Sequence, residues 1–229
     1  MTITTSEPEP GVLQILMDRP RARNALNLEL VEELRRSIAS EGARAIVLGS
    51  TSRESFSAGV DLKLADHERA QVSRALYGLY HDMRNSDVII VAAASGHAVG
   101  GGAQLMIASD IRIAGPDAAI RFLGPGHGLA VGAWGLPSLV GRGRAMELLL
   151  SMRSVAATDA LAIGLVESVD PEPLPRALAL ASHIVTLSPE AVAAVKRIAS
   201  LTRWDEALTA ERQFNDHWDG AIPVSSDDG

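Results

Sequence analysis

Apolar positions recur along this chain with two alternating periods, and the alternation predicts strands and helices in turn. The span 11–20 sets Val12, Leu13, Ile15 and Met17 among polar neighbours and reads as a strand that Pro20 ends. In 21–39, Leu26, Leu30, Leu34 and Ile38 recur every four residues, the spacing of one helical face. Asn27 suits the N-cap of that helix; Glu29, Glu32 and Glu33 stand early and Arg35 and Arg36 late, the order a helix dipole favours. A second buried strand is predicted at 45–49, and the loop 50–62 ends in small residues, with Asp61 placed to cap the following helix. Val72, Leu76, Leu79, Tyr80 and Met83 mark a helix over 66–84. A core strand follows at 88–94, then a turn at Ser95, Gly96 and His97, and then Gly100, Gly101 and Gly102, which open an apolar helix at 103–108. Beyond it come short strands at 110–115 and 118–122, a glycine-rich loop and short helix within 123–141, helices at 144–151 and 158–164, and a strand at 165–169. The remainder reads as helix over 173–184, 189–201 and 203–218, the last with Trp204, Leu208, Phe214 and Trp218 as its apolar members. Strands alternating with helices, followed by a helical tail, predict an α/β core at 1–172 and a C-terminal helical region at 173–229.

Composition narrows the function. A chain of 229 residues with 47% hydrophobic content can bury one substantial core. The absence of cysteine excludes disulfides and thiolate metal sites and fits a reducing compartment. The first ten residues have neither the basic start nor the apolar middle of an export signal, and no apolar run is long enough to span a bilayer, so a cytoplasmic location is expected. A net charge of −7 argues against non-specific nucleic-acid binding, which needs a basic surface. No Gly-Lys-Ser/Thr follows the glycines, no Gly-x-Ser-x-Gly elbow occurs, and no histidine pair has metal-ligand spacing.

Two small-residue turns remain, at 57–60 and 100–102, each between a predicted strand and a helix. Glycine lets a backbone come close to a ligand, and the first turn of a helix leaves N–H groups without intrahelical partners. Two such turns after neighbouring parallel strands could aim two N–H groups at one anion or oxyanion. Turns that serve only helix–sheet packing account for the same glycines, and from residue types both readings stay open.

The motifs in order are Arg19-Pro20 with Asn24-Ala25-Leu26, then Phe56-Ser57-Ala58-Gly59-Val60-Asp61-Leu62, then Gly96-His97-Ala98-Val99-Gly100-Gly101-Gly102. Together they resemble the crotonase (enoyl-CoA hydratase/isomerase) superfamily. The resemblance implies an α/β spiral of ββα units with a C-terminal helical subdomain, assembly as trimers or hexamers, and an acyl-CoA thioester ligand. Coenzyme A is then part of the ligand, with no separate cofactor and no metal. Carried onto this chain, the thioester oxygen accepts hydrogen bonds from the backbone N–H groups of Val60 and Gly101. Backbone around Arg21, Ala22, Arg23, Ser57 and Ala58 holds the nucleotide end. Arg21 and Arg23 either add charge-assisted contacts to its phosphates or belong to an ordinary solvated turn.

The chain departs from the hydratase pattern at both proton-transfer positions. That pattern needs two carboxylates, and the first position is occupied by Gln104, whose amide can orient water or a thioester but cannot act as a base. The second falls near Gly124, in a span, 122–135, without Asp or Glu. Trp134 stands where a small residue is usual, so its indole either fills space near the acyl chain or simply packs. His127 is the titratable side chain of that loop and the candidate base or donor there, a structural histidine being the other reading. His97 reads as packing. This combination resembles an actinobacterial branch that binds acyl-CoA without hydrating it. The expected protein carries or senses fatty acyl thioesters in lipid metabolism and lacks standard hydratase activity. The alternative is an isomerase, decarboxylase or slow hydratase that uses His127 or a carboxylate brought in by the tail; a third is a structural partner of an active homologous subunit. The resemblance implies a further basic helix after the stretch 221–229.

Overall fold

The computed structural model describes residues 1–201 and 203–222. The end segment 223–229 lies outside the described residues, and with it the expectation about a final helix. A six-stranded sheet has the order β1-β2-β3-β5-β7-β10, formed by Ile3–Glu9, Val12–Met17, Ala45–Ser50, Ile89–Ala94, Ile111–Ala114 and Ser168–Val169. A four-stranded sheet has the order β4-β6-β8-β9, formed by Ser55–Ser57, His97–Val99, Ala119–Arg121 and Val155–Ala156. The helices are α1 (Leu28–Ile38), α2 (Asp66–Asn85), α3 (Gly101–Ala108), α4 (Leu136–Val140), α5 (Arg142–Ser151), α6 (Ala157–Ala162), α7 (Pro173–Ile184), α8 (Pro189–Ala199) and α9 (Trp204–Asn215).

The spiral follows from the repeat of a long strand, a short strand and a helix: β3-β4-α2, then β5-β6-α3. β2, β3, β5, β7 and β10 pair in parallel, and parallel strands are covered on both faces. This is why β5 is apolar and buried at every position. Ala177, Ala181 and Ile184 of α7 cover one face against Val12, Ala45, Val47 and Val91. Leu30 and Leu34 of α1, Leu79 and Met83 of α2, and α3 fill the other. Asn27 caps α1, its Oδ1 accepting the Leu30 N–H at 3.0 Å. Among the described residues no single helix is long and apolar enough to cross a membrane.

Four local expectations are corrected. β1 has no counterpart in the sequence reading because only Ile3 of its seven residues is buried, so an edge strand exposed on both faces carries no alternation. Asp61 does not cap α2: its Oδ1 accepts the Lys63 N–H at 3.1 Å and its Oδ2 meets Arg19 at 3.1 Å, while the Glu68 carboxylate accepts the Ala65 N–H at 2.8 Å where α2 begins. The strand expected over 165–169 pairs only at Ser168 and Val169. The last helix ends at Asn215 rather than 218, and Phe214 points to solvent, 61% exposed.

Candidate functional site

The two small-residue turns touch. After β4, Leu26 donates its N–H to Gly59 O at 2.7 Å and Asp61 donates to Leu26 O at 2.9 Å, which pairs Val60 with Leu26 and turns the Val60 N–H away from that bridge. After β6, Gly100 donates to Arg121 O at 2.9 Å and Gly101 begins α3. The N–H groups of Val60 and Gly101 have no hydrogen-bond partner among the described residues, and both residues line one cleft. Glycine is required at the contact. A Cβ on Gly59, whose φ is +84°, would lie 2.7 Å from Val99 O and 3.4 Å from Gly101 N; one on Gly102 would lie 2.5 Å from Ser57 O.

The cleft encloses about 750 Å³ including its open mouth, and its walls are mainly apolar, with Leu62, Leu76, Leu123, Leu129 and Val131. Trp218 and Ile222, C-terminal to α9, line it as well. The buried guanidinium of Arg69 holds that segment by donating to Gly220 O at 2.8 Å and to Leu62 O at 3.3 Å.

Gln104 follows Gly101 by one helical turn and lines the cleft while only 3% exposed. Its Oε1 accepts the Gly132 N–H at 3.1 Å and the Trp134 Nε1–H at 2.9 Å. Both partners can only donate, so the network fixes which end of the amide is oxygen. The NH2 has no partner among the described residues and is the polar group that Gln104 has left for the cleft. Trp134 does not line the cleft. Its ring lies behind Gln104, stacked on Tyr80 with centroids 5.9 Å apart and edge-on to Trp204 at 6.4 Å.

His127 ends the turn Gly124–His127 and lines the cleft. Burial lowers its pKa below the usual imidazole value, which favours the neutral ring at neutral pH, and its buried Nδ1 has no partner among the described residues. Arg21, Ala22 and Arg23 form an outer turn beside the first glycine turn: Arg21 and Arg23 are exposed, and Arg23 O accepts the Ala58 N–H at 3.0 Å. Ser57 is buried, its hydroxyl donating to Asn24 O at 2.8 Å, and Ala58 lines the cleft.

The sequence offered a carboxylate of the tail without naming a residue, and one such carboxylate lies buried behind the cleft. Glu211 of α9 is buried at 4% exposure, and its Oε1 accepts the Tyr77 hydroxyl at 3.0 Å and the Gly132 N–H at 3.1 Å. Its Oε2 accepts the Trp134 N–H at 2.9 Å. Burial pushes the carboxyl pKa up to about 7, the three accepted hydrogen bonds only partly opposing it. Burial and the neighbouring Glu211 likewise push the Tyr77 phenol well above its ordinary value. Glu211 does not line the cleft; Tyr77 and Gln104 stand between. The inward stripe of α9 is Trp204, Leu208, Glu211 and Asn215, a helical spacing whose last two members are polar. That spacing is visible in the chain, but residue type directs attention to Phe214 instead.

Comparison with known proteins agrees with this architecture. The family model for enoyl-CoA hydratase/isomerase matches residues 7–222. A Mycobacterium tuberculosis protein named "Probable enoyl-CoA hydratase echA6" is 40% identical over 194 residues, covering 82% of this chain and 78% of its own. The human mitochondrial enoyl-CoA hydratase domain-containing protein 2 is 35% identical over 206 residues, covering 81% and 69%. Among solved structures, an enoyl-CoA hydratase from Bacillus anthracis superposes with a TM-score of 0.81 at 29% identity, covering 93% of this chain and 89% of that one. With the ββα spiral in place and the family model matched over residues 7–222, this chain belongs to the enoyl-CoA hydratase/isomerase, or crotonase, family.

Proposed function

We propose that the cleft binds an acyl-CoA thioester by its carbonyl oxygen and does not perform standard enoyl-CoA hydration. The observation that carries this reading is the orientation of Gln104. Where hydration needs a carboxylate to take a proton from water, the amide oxygen is already engaged by Gly132 and Trp134, and what remains is a donor. The N–H groups of Val60 and Gly101 are donors too. Donors receive an oxygen that carries partial negative charge, and two fixed backbone dipoles beside an apolar wall polarise a carbonyl without any side chain. No Asp or Glu lines the cleft among the described residues. The ligand brings its coenzyme A with it, and the exposed guanidinium groups of Arg21 and Arg23 are the proposed partners of its phosphates. The protein then carries or senses fatty acyl thioesters in the cytoplasm, as one of the actinobacterial-type members of the family that lack the hydratase carboxylates. Exposed Leu150, Leu161, Val195 and Ile198 support assembly into trimers or hexamers.

Glu211 gives the second reading a specific basis. A carboxyl with a pKa near 7, one hydrogen bond behind the cleft through Tyr77, is suited to acid–base work if the wall opens. An isomerase, decarboxylase or slow hydratase using Glu211 or His127 would follow. Calorimetry with a long-chain acyl-CoA tests the first reading, and absence of binding ends it. Ultraviolet absorbance of crotonyl-CoA separates the two: the first expects no turnover above background, and rapid hydration refutes it. If turnover appears, His127→Ala abolishes it only where His127 is the base.

A further inference from the structure

The segment from Leu129 to Trp134 is an irregular turn with two sets of partners. Leu129 and Val131 line the cleft, while the intervening N–H groups turn the other way and meet α9. Ala130 donates to Asn215 Oδ1 at 2.9 Å, Gly132 to Glu211 Oε1 at 3.1 Å and Trp134 to Glu211 Oε2 at 2.9 Å. Two side chains one helical turn apart thus hold all three of these N–H groups. The same two hold Tyr77, a second wall: its hydroxyl donates to Glu211 and accepts from Asn215 Nδ2 at 2.6 Å. The Gly132 N–H is also shared with Gln104 Oε1, which ties in a third.

We infer that Glu211, paired with Asn215, is a positioning residue through which the tail helix assembles the acyl cleft, and that the proton state of Glu211 sets how tightly the cleft holds its ligand. The inference rests on the reading of the cleft as an acyl-thioester site. An ionised carboxylate only accepts, and it satisfies all three of its donors. A protonated one must donate, and of its three partners only the Tyr77 oxygen has a lone pair to receive that hydrogen. The Glu211–Tyr77 hydrogen bond then reverses, and the Tyr77 hydroxyl hydrogen, with the Asn215 Nδ2 donor on its other side, is left without an acceptor among the described residues. Tyr77 and Tyr80 are the titratable groups that α2 turns toward Glu211. Residues 129–134 and α3 contain none. His127 and Arg69 are the other titratable groups on the cleft. With the carboxyl poised near neutrality, the ionised and better-ordered wall prevails above that point.

The test titrates the full chain with a saturated long-chain acyl-CoA by calorimetry from about pH 6 to about pH 8, and follows the ligand-free amide shifts of Gly132 and Trp134 by NMR over the same range. Wild type is expected to bind about tenfold more weakly at the acid end, the worth of one hydrogen bond, with amide shifts that share the midpoint. Glu211→Gln cannot accept all three donors and is expected to bind weakly with a flat profile. Tyr77→Phe removes a donor that favours the ionised form, and is expected to move the midpoint to higher pH; it also serves if Glu211→Gln fails to fold. Amide shifts of Gly132 and Trp134 that do not titrate overturn the inference. So does a binding profile that survives Glu211→Gln and disappears in His127→Asn. Amide shifts that titrate in a chain that binds no acyl-CoA uphold the positioning by Glu211 and overturn the acyl reading and the ligand linkage.

Discussion

Ionisation of Glu211 makes stability depend on pH in an unusual direction. Most carboxylates in folded proteins gain partners that lower their pKa, so stability rises with pH through the acid range. Here the folded carboxyl sits at about 7 against an ordinary value of 4.5. Between those values the folded chain binds more protons than the unfolded chain, and stability must fall as pH rises. A difference of roughly 2.5 units at about 1.4 kcal/mol per unit is about 3 kcal/mol in full, present below pH 4.5 and lost once pH passes about 7. Glu211→Gln isolates the effect, because every other titrating group is common to both chains. Gln accepts from Tyr77 and Gly132 through its oxygen, while its NH2 faces the Trp134 N–H, so the variant carries a pH-independent penalty of about 1–3 kcal/mol. Urea unfolding of both chains in buffers from about pH 5 to about pH 8 reads the two terms separately. Wild type is expected to lose about 2–3 kcal/mol relative to the variant over that range, most of it between about pH 5 and about pH 7. A stability gap that stays constant with pH, or that moves in wild type's favour as pH rises, refutes the reasoning.

Gly102→Ala drives a Cβ to 2.5 Å from Ser57 O, a backbone atom that cannot yield cheaply. The two turns must part, with an expected cost of about 1–3 kcal/mol in unfolding and at least about a tenfold loss of acyl-CoA affinity by calorimetry. Gln104→Glu restores one carboxylate, but residues 122–135 still contain no second one; crotonyl-CoA turnover is expected to stay within about tenfold of wild type. Trp134→Ala empties the space between Tyr80 and Trp204 and releases Gln104 Oε1, with about 3–5 kcal/mol lost in denaturant unfolding.

Several features could be read from the chain because they depend on local chemistry. The four-residue spacing of Leu26, Leu30, Leu34 and Ile38 and the cap at Asn27 specify α1 whatever surrounds it. The unbroken apolar run of β5 announces a strand covered on both faces, and the glycines at 59 and 100–102 announce turns that approach closely. Motif order then points to the family, since each motif keeps its place along the chain.

What depended on the folded chain is how distant segments meet. Tyr77 and Glu211 are separated by 134 positions and Trp134 and Glu211 by 77, and no local period encodes either meeting. Gln104 is legible as a lost base, but its orientation as a donor comes from Gly132 and Trp134 closing on its oxygen. Trp134, next to the acyl chain or packed behind it by residue type alone, lies behind because Tyr80 and Trp204 enclose it. Glu211 is the clearest case. A glutamate on an amphipathic helix belongs in water by its own solvation, and only three donors presented together by other elements hold it inside.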